Sequence, residues 1–362
     1  MRMEKLIGIA IKFDFGETVK SIVRFGSGHI NDTYLVDTTG KKFILQKVNT
    51  AIFKNIENLT SNILVITDHY NRKIATADYR DLSLKPLYLI PCKEGNYFFR
   101  DDNNGCWRMF NYIEKSICYD RIDSEKKAYN AAHTFGLFQK ILSDLDPKLI
   151  HEIIPDFHNM KSRYKNFLKV VKENPVNRLN SVKKEVQFVE NRIAEMISLQ
   201  QLIDDGKIPI RITHNDTKIN NILFDENDNA LSVIDLDIVM PGSVLFDFGD
   251  AIRTGAAMAD EDEQDLTKVG IDIGLFEAYV KGYLYSTKQF LVSEEISNLA
   301  FSAKYMTFIM GLRFLTDYLD GDKYYKIHHS NHNLHRVCAQ FRQVEILENN
   351  FEIMKGIVQS SQ

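Results

Sequence analysis

Cysteine is scarce. Cys92, Cys106, Cys118 and Cys338 are the only four in 362 residues, and none forms a C-x-x-C pair. That spacing excludes a disulfide-built scaffold and a cysteine-rich zinc module, and is the usage of reduced thiols in an intracellular protein. Long apolar runs are missing too. The stretch 6–11 ends at Lys12, too short and too charged at its borders for a signal peptide or a membrane span. Neither sign of charge dominates, since 45 Lys and Arg against 49 Asp and Glu leave −4, with no basic footprint for nucleic acid. No G-x-x-x-x-G-K-[ST] occurs, which excludes a P-loop as far as motif goes. There is no internal repeat and no low-complexity linker. These absences lead us to expect a cytoplasmic protein with neither nucleic acid nor membrane as partner. They leave oligomeric state open.

What remains is an ordinary globular composition, 44% hydrophobic and 26% charged, in a chain long enough for two lobes. Short β-prone runs at 19–25, 33–37 and 42–48, separated by Gly and Asn/Asp, predict antiparallel hairpins. Ile56, Leu59, Ile63, Ile66 and Tyr70 predict a helix over 55–72. A strand pair is expected at 95–100 and 107–113. Beyond Glu114 the pattern turns helical, at 124–145, 181–203, 270–284, 293–319 and 336–357, with Ser293 expected as an N-cap. The reading is a β-rich lobe over 1–113 and a mainly helical lobe over 114–362, an α+β chain.

The densest chemistry lies at 214–237. His214, Asp216 and Asn221 have the H-x-D-x-x-x-x-N spacing of a phosphotransferase catalytic loop. Phosphoryl transfer from ATP needs positioning, charge neutralisation and a base near the attacking hydroxyl. Asp216 suits the base. Asn221 offers a neutral oxygen and Asp235, at the end of the apolar strand 231–234, a fixed carboxylate, both suited to Mg2+. Lys218 steadies the transferring phosphoryl group or Asp216 itself. The bland alternative is that His214, Asp216 and Asn221 are turn residues of a hairpin. Asp237 reads equally as a second metal ligand or as a loop acid. Asp247-Phe248-Gly249 looks like a kinase metal triplet, but Asp235 already holds the strand-end position, so Asp247 is expected to brace the loop.

In the first lobe Gly26 and Gly28 would let backbone N–H groups approach phosphates. Lys47 is the candidate partner of the α/β-phosphates, with Glu57 as its ion partner; its bland reading is a solvent-facing strand lysine. Arg313 sits in an apolar helical run and must be paired if buried, with Asp317, with another acid or with substrate. The histidines at 328–335 read as a polar loop with no carboxylate at metal-binding spacing, and Asp260-Glu261-Asp262-Glu263 as a solvated acidic loop.

His214 to Asn221, Ile234-Asp235-Leu236-Asp237 and Pro241-Gly242 through Asp247 resemble the aminoglycoside phosphotransferase and choline kinase superfamily. More narrowly, several strings resemble the N-acetylhexosamine 1-kinases. These are Gly26-Ser27-Gly28-His29-Ile30-Asn31-Asp32-Thr33-Tyr34, Ile44-Leu45-Gln46-Lys47-Val48-Asn49, Val239-Met240-Pro241-Gly242-Ser243 and Asp247-Phe248-Gly249-Asp250. The stretches 311–317 and 321–325, and His332-Asn333-Leu334 with Arg336, belong to the same set. The resemblance runs over about 20–345. It implies a two-lobed protein-kinase-like fold, ATP and Mg2+ as cofactors, Asp216 as base, and Asn221 and Asp235 as metal ligands. It also implies an adenine-binding strand at 109–113 with Phe110 and Tyr112, and a small-molecule partner, an amino-sugar acceptor phosphorylated at its anomeric hydroxyl, lined by His29, Arg313 and Tyr324. Thr254 departs from the apolar residue expected there. Another small alcohol is the alternative acceptor, although the lone Trp107, on the expected hinge side, argues against a choline cage. An inactive nucleotide-binding module is a further alternative.

Overall fold

A computed structural model describes residues 3–26, 28, 30–80 and 82–362. The chain divides into two compact units. One comprises Met1–Ile117, Asp144–Ile154 and Leu223–Met240, the other Cys118–Ser143, Pro155–Ile222 and Pro241–Gln362.

In the first unit, helix α1 (Met3–Ala10) precedes strands β1 (Val19–Arg24), β2 (Asp32–Thr38) and β3 (Lys42–Val48). Helix α2 (Ile56–Ile74) and strands β4 (Phe99–Arg100) and β5 (Cys106–Asn111) follow. The strands form one antiparallel sheet in the order β1-β2-β3-β5-β4. Phe43, Leu45 and Lys47 alternate along β3 onto one face, opposite Val36, Tyr34 and Asp32 of β2 and Asn111, Met109 and Trp107 of β5. That face carries the core: Tyr34, Val36, Phe43, Leu45, Trp107 and Met109 are buried with Leu6, Ile9 and Ala10 of α1. Gln46 and Arg108, paired directly, stand on the other face. Helix α2 buries the expected stripe Ile56, Leu59, Ile63, Ile66 and Tyr70. It starts at Ile56 because Asn55 is its cap, accepting the N–H of Asn58.

The second unit is mainly helical. Helices α3 (Glu125–Leu142), α4 (Met160–Glu173) and α5 (Lys183–Asp204) lead to strand β6 (Arg211–Thr213). The chain then gives the first unit its hairpin, β7 (Ile222–Phe224) with β8 (Ala230–Val233). Strand β9 (Met240–Gly242) pairs with β6. After it come α6 (Val244–Gly255), α7 (Ile273–Thr287), α8 (Ser293–Ser297), α9 (Leu299–Asp320), α10 (His332–Asn349) and α11 (Phe351–Ser360).

Two expected helices are broken. The 293–319 helix is α8 and α9, parted at Asn298, and the 336–357 helix is α10 and α11, parted at Asn350. Ser293 is the first helical residue, not the cap. The N–H of Val292 is instead taken by the Glu295 carboxylate, itself fully buried and paired with Arg211 at 2.7 Å. Helices α4 and α6 carry no expectation from the sequence. Only Met160, Phe167 and Val170 of α4 are buried, and ten of the twelve residues of α6 are, so neither shows a one-sided stripe broad enough to read.

Among the described residues no helix is long and apolar enough to cross a membrane.

Candidate active site

The second unit holds the loop that follows β6. Asn215 turns it through a left-handed backbone, φ 64°, a conformation Asn tolerates better than most side chains. Asp247, on the first turn of α6, braces that turn. Its carboxylate accepts the N–H groups of His214 at 2.8 Å and Asn215 at 2.6 Å and the Gln139 amide at 2.7 Å, while the Thr217 hydroxyl donates to its carbonyl at 2.5 Å. Burial raises the Asp247 carboxyl above its ordinary range, more strongly than the His214 charge and these donors lower it. Phe248 is buried edge-on against Tyr279 and Tyr283. A Cβ on Gly249 would fall 2.2 Å from the Ser302 carbonyl, so the glycine lets α6 approach α9. The Asp-Phe-Gly triplet is structural here, as expected.

Asp216 projects from the braced loop with its side chain 27% exposed. The Asn221 amide donates to both its carbonyl at 2.7 Å and its Oδ2 at 3.0 Å, and Lys218 Nζ lies 3.0 Å from Oδ1. Burial pushes the Asp216 carboxyl up, but the charges of Lys218 and His214 and the bonds from Lys218 and Asn221 outweigh it and hold the group below the usual carboxylate range. Lys218 is pushed up by Asp216. Of the two roles expected for Lys218, the contact with Asp216 is present.

Asp235 belongs to the first unit. It follows β8 in a left-handed conformation, φ 59° and ψ 62°, and its side chain is exposed. Such backbone in a non-glycine residue is costly and clusters at functional sites. Asp237, two residues on, is 3% exposed and engaged on both oxygens, by Arg108 at 2.5 Å and by the Asn31 amide at 2.7 Å. Those partners are what the loop-acid reading calls for, the Oδ1 contact with Arg108 being a charge contact without hydrogen-bond geometry. Arg108 also donates twice to Gln46 Oε1, at 2.9 and 2.8 Å, and Asn31 accepts the N–H of Asn49.

Lys47 is on the opposite face from this network, over the Trp107 ring at 6.0 Å. Strand alternation, which sends every second side chain to the same face, is the reason, and it places Gln46 where the lysine was expected. Glu57 pairs with Arg100 at 2.8 Å, not with Lys47. Phe110 shares the Gln46 face, its ring 5.1 Å from the Arg108 guanidinium, and Tyr112 lies past the end of β5, edge-on to Phe25. Gly26 has φ 76° and no atom within 4 Å of where a Cβ would be; Gly28 is equally open. His29 lies outside the described residues. Trp107 is fully buried in the sheet core, not at a hinge. Asn31, Gln46 and Arg108 were missed in the sequence; the first two stand inside the quoted strings, and the register supplied the signal.

In the second unit, Arg313 of α9 and Tyr324 line a cavity of about 260 Å³ beside α4. Arg313 does not pair with Asp317. That carboxylate accepts the backbone N–H groups of Lys323, Tyr324 and Tyr325 and the Asn333 amide. Thr254 bonds its own helix at the Asp250 carbonyl. The acidic stretch 260–263 is less solvated than expected: Asp260 pairs with Arg121, Glu261 with Arg253 and Asp262 with His332. His332 thus has a carboxylate partner that the spacing did not reveal. Among the described residues, no group of three or more His, Cys, Asp or Glu is arranged to hold a metal.

A braced acid on a loop after a short strand, with an amide locked to it, in a chain of one antiparallel-sheet lobe and one helical lobe, defines a phosphotransferase of protein-kinase-like α+β fold. The chain belongs to the phosphotransferase enzyme family, whose profile matches residues 21–284. Solved structures agree in fold. An aminoglycoside phosphotransferase from Alicyclobacillus acidocaldarius superposes with a TM-score of 0.59 at 11% identity, covering 98% of this chain and 96% of that one. A spectinomycin phosphotransferase holding ADP and spectinomycin gives 0.57 at 11%, covering 100% and 98%. Plasmodium vivax ethanolamine kinase gives 0.56 at 17%, covering 88% and 82%.

Proposed function

We propose that this chain is an ATP- and magnesium-dependent kinase that phosphorylates the anomeric hydroxyl of an N-acetylhexosamine, N-acetylglucosamine or N-acetylgalactosamine. The observation that carries the phosphotransfer is Asp216, fixed by Asn221 and Lys218, whose contacts hold its carboxyl below the usual range. Its carboxylate takes the proton of the acceptor hydroxyl as that oxygen bonds to the γ-phosphorus of ATP and the bond to the ADP oxygen breaks. Asn221, whose NH2 is spent on Asp216, has its carbonyl oxygen for magnesium, and Asp235 offers a carboxylate. These are the hard oxygen donors that ion prefers. Magnesium, when bound, neutralises phosphate charge. The nucleotide side of the first unit's sheet is the face of Gln46, Arg108 and Phe110, and Gly26 and Gly28 offer their open backbone to phosphates. Arg313 and Tyr324 contact the acceptor.

The anomeric acceptor rests on the sequence strings, and the fold alone suits several alcohols. Phosphorus NMR of full-length protein with ATP, Mg2+ and N-acetylglucosamine tests it. A new sugar 1-phosphate resonance is the expected result. Turnover of an aminoglycoside, ethanolamine or choline with none of either N-acetylhexosamine would move the acceptor to another alcohol, and no turnover of any alcohol would favour an inactive nucleotide-binding module.

A further inference from the structure

Three hydrogen-bond donors without an acid to receive them meet in the cavity beside α4. Arg313, 9% exposed, has its guanidinium 4.7 Å from the Phe157 ring and within 6 Å of the Tyr324 and Tyr325 rings, yet no carboxylate lies within ion-pair distance among the described residues. Arg163, on the first turn of α4, donates through Nε and Nη2 to one acceptor, the Phe157 carbonyl, at 3.1 and 2.9 Å, and forms no ion pair among the described residues, the Asp156 charge being the last of the effects that act on it. The Tyr325 hydroxyl is buried with no partner among the described residues. All three side chains line the same cavity. Buried cations normally carry a paired anion, because removing them from water is costly otherwise. Here two repel each other instead: burial and then the Arg313 charge pull Arg163 down to about 10.

The acids on the cavity wall do not fill that role. The oxygens of Asp317 are taken by three backbone N–H groups and Asn333, Asp320 pairs with Lys323 at 2.9 Å, and Glu173 is exposed. The cavity also connects to the catalytic loop through side chains. Asn215 meets His158, whose ring packs on Phe157 at 4.3 Å, and Phe157 lies under Arg313.

We propose that this cavity binds an oxyanion, a phosphate or carboxylate, between the Arg163 and Arg313 guanidiniums with the Tyr325 hydroxyl as third donor, and that it rejects ammonium groups. Arg163 and Tyr325 thereby become determinants of which ligands the second unit accepts. The inference goes beyond the acceptor reading, because a neutral N-acetylhexosamine carries no such anion; it shares Arg313 with that reading, and its test needs no turnover.

Full-length protein is titrated with inorganic phosphate and, separately, with tetramethylammonium chloride by calorimetry. Saturable phosphate binding that weakens about tenfold or more in Arg163→Gln is expected, that being the scale of a lost charge-assisted bond. Unliganded Arg163→Gln should melt no lower than the parent, since a like-charge contact is relieved. Tyr325→Phe keeps the ring and should weaken phosphate severalfold. Absence of saturable phosphate binding, equal binding in parent and variants, or preference for the ammonium probe would overturn the proposal. Phosphate that competes with N-acetylglucosamine in turnover assigns the oxyanion to the acceptor's compartment; phosphate that binds without competing assigns it to a separate effector. If no sugar is turned over, the acceptor reading fails and the titration still decides the cavity.

Discussion

Arg108 and Asp237 meet at 2.5 Å with side chains 2% and 4% exposed, tying strand β5 to the loop that carries Asp235. Gln46 holds the arginine from β3 and Asn31, just ahead of β2, holds the aspartate. A pair this buried is worth little against an apolar replacement, but breaking it strands a charge. Asp237→Leu alone should therefore lose about 3–5 kcal/mol of unfolding free energy in urea titration. The double variant Arg108→Met/Asp237→Leu should recover much of that loss. Equal losses in single and double variants would show that the pair acts through something other than its charges.

Lys47 and Arg108 give opposite expectations for the nucleotide. Lys47 stands over Trp107 on the core face of the sheet, while Arg108 orients the loop of Asp235 from the other face. Lys47→Met should change the KM for ATP by no more than about twofold, because the side chain faces away from Gln46 and Arg108. Arg108→Met should raise it about tenfold or more, by loosening the Asp235 loop. A large KM rise in Lys47→Met with none in Arg108→Met would return the phosphate role to the lysine.

That contrast marks the limit of what the sequence made legible. The α2 stripe and the β1 to β3 hairpins followed from periods of 3.6 and 2, and the Asp247 brace from the presence of Asp235 upstream. Period 2 says that Gln46 and Lys47 face opposite ways, but not which face is the core. That was decided by α1, whose Leu6 and Ile9 cover the Lys47 side. Asp237 was undecidable because its partners, Asn31 and Arg108, are distant in sequence. The breaks fall at Asn298 and at Asn349-Asn350, a weaker stop signal than proline or glycine, which the continuing apolar period outweighed.

Asp247 makes a different demand. Its two carboxylate oxygens receive three N–H donors. Asp247→Asn turns one of those oxygens into an NH2 that faces a donor. The variant should fold, with an unfolding free energy lower by about 1–3 kcal/mol for an unsatisfied buried group. Turnover should fall more than substrate affinity as the His214-Asn215 turn loosens. The raised carboxyl adds a pH signature: its contribution to stability is full below the unfolded value and is lost as pH rises through the folded one. The stability difference between Asp247→Asn and the parent should accordingly depend on pH at the acid end. A pH-independent difference would remove Asp247 ionisation from the account.

Asp216 titrates in the opposite sense. Its folded carboxyl lies below the ordinary value despite burial, because Lys218, His214 and Asn221 favour the charged form. A lowered carboxyl contributes stability above its unfolded value and loses it as pH falls through the folded one. As base it should therefore stay ionised at neutral pH and put the acid limb of kcat/KM below the ordinary aspartate range. Asp216→Asn should lose about 10²–10⁴ in turnover, the usual scale for a general base, while still binding ATP and magnesium. Lys218→Met removes the largest of the charges that hold the group down, so the acid limb should move to higher pH. A limb that stays in place in Lys218→Met would assign Lys218 to the phosphoryl group and not to Asp216.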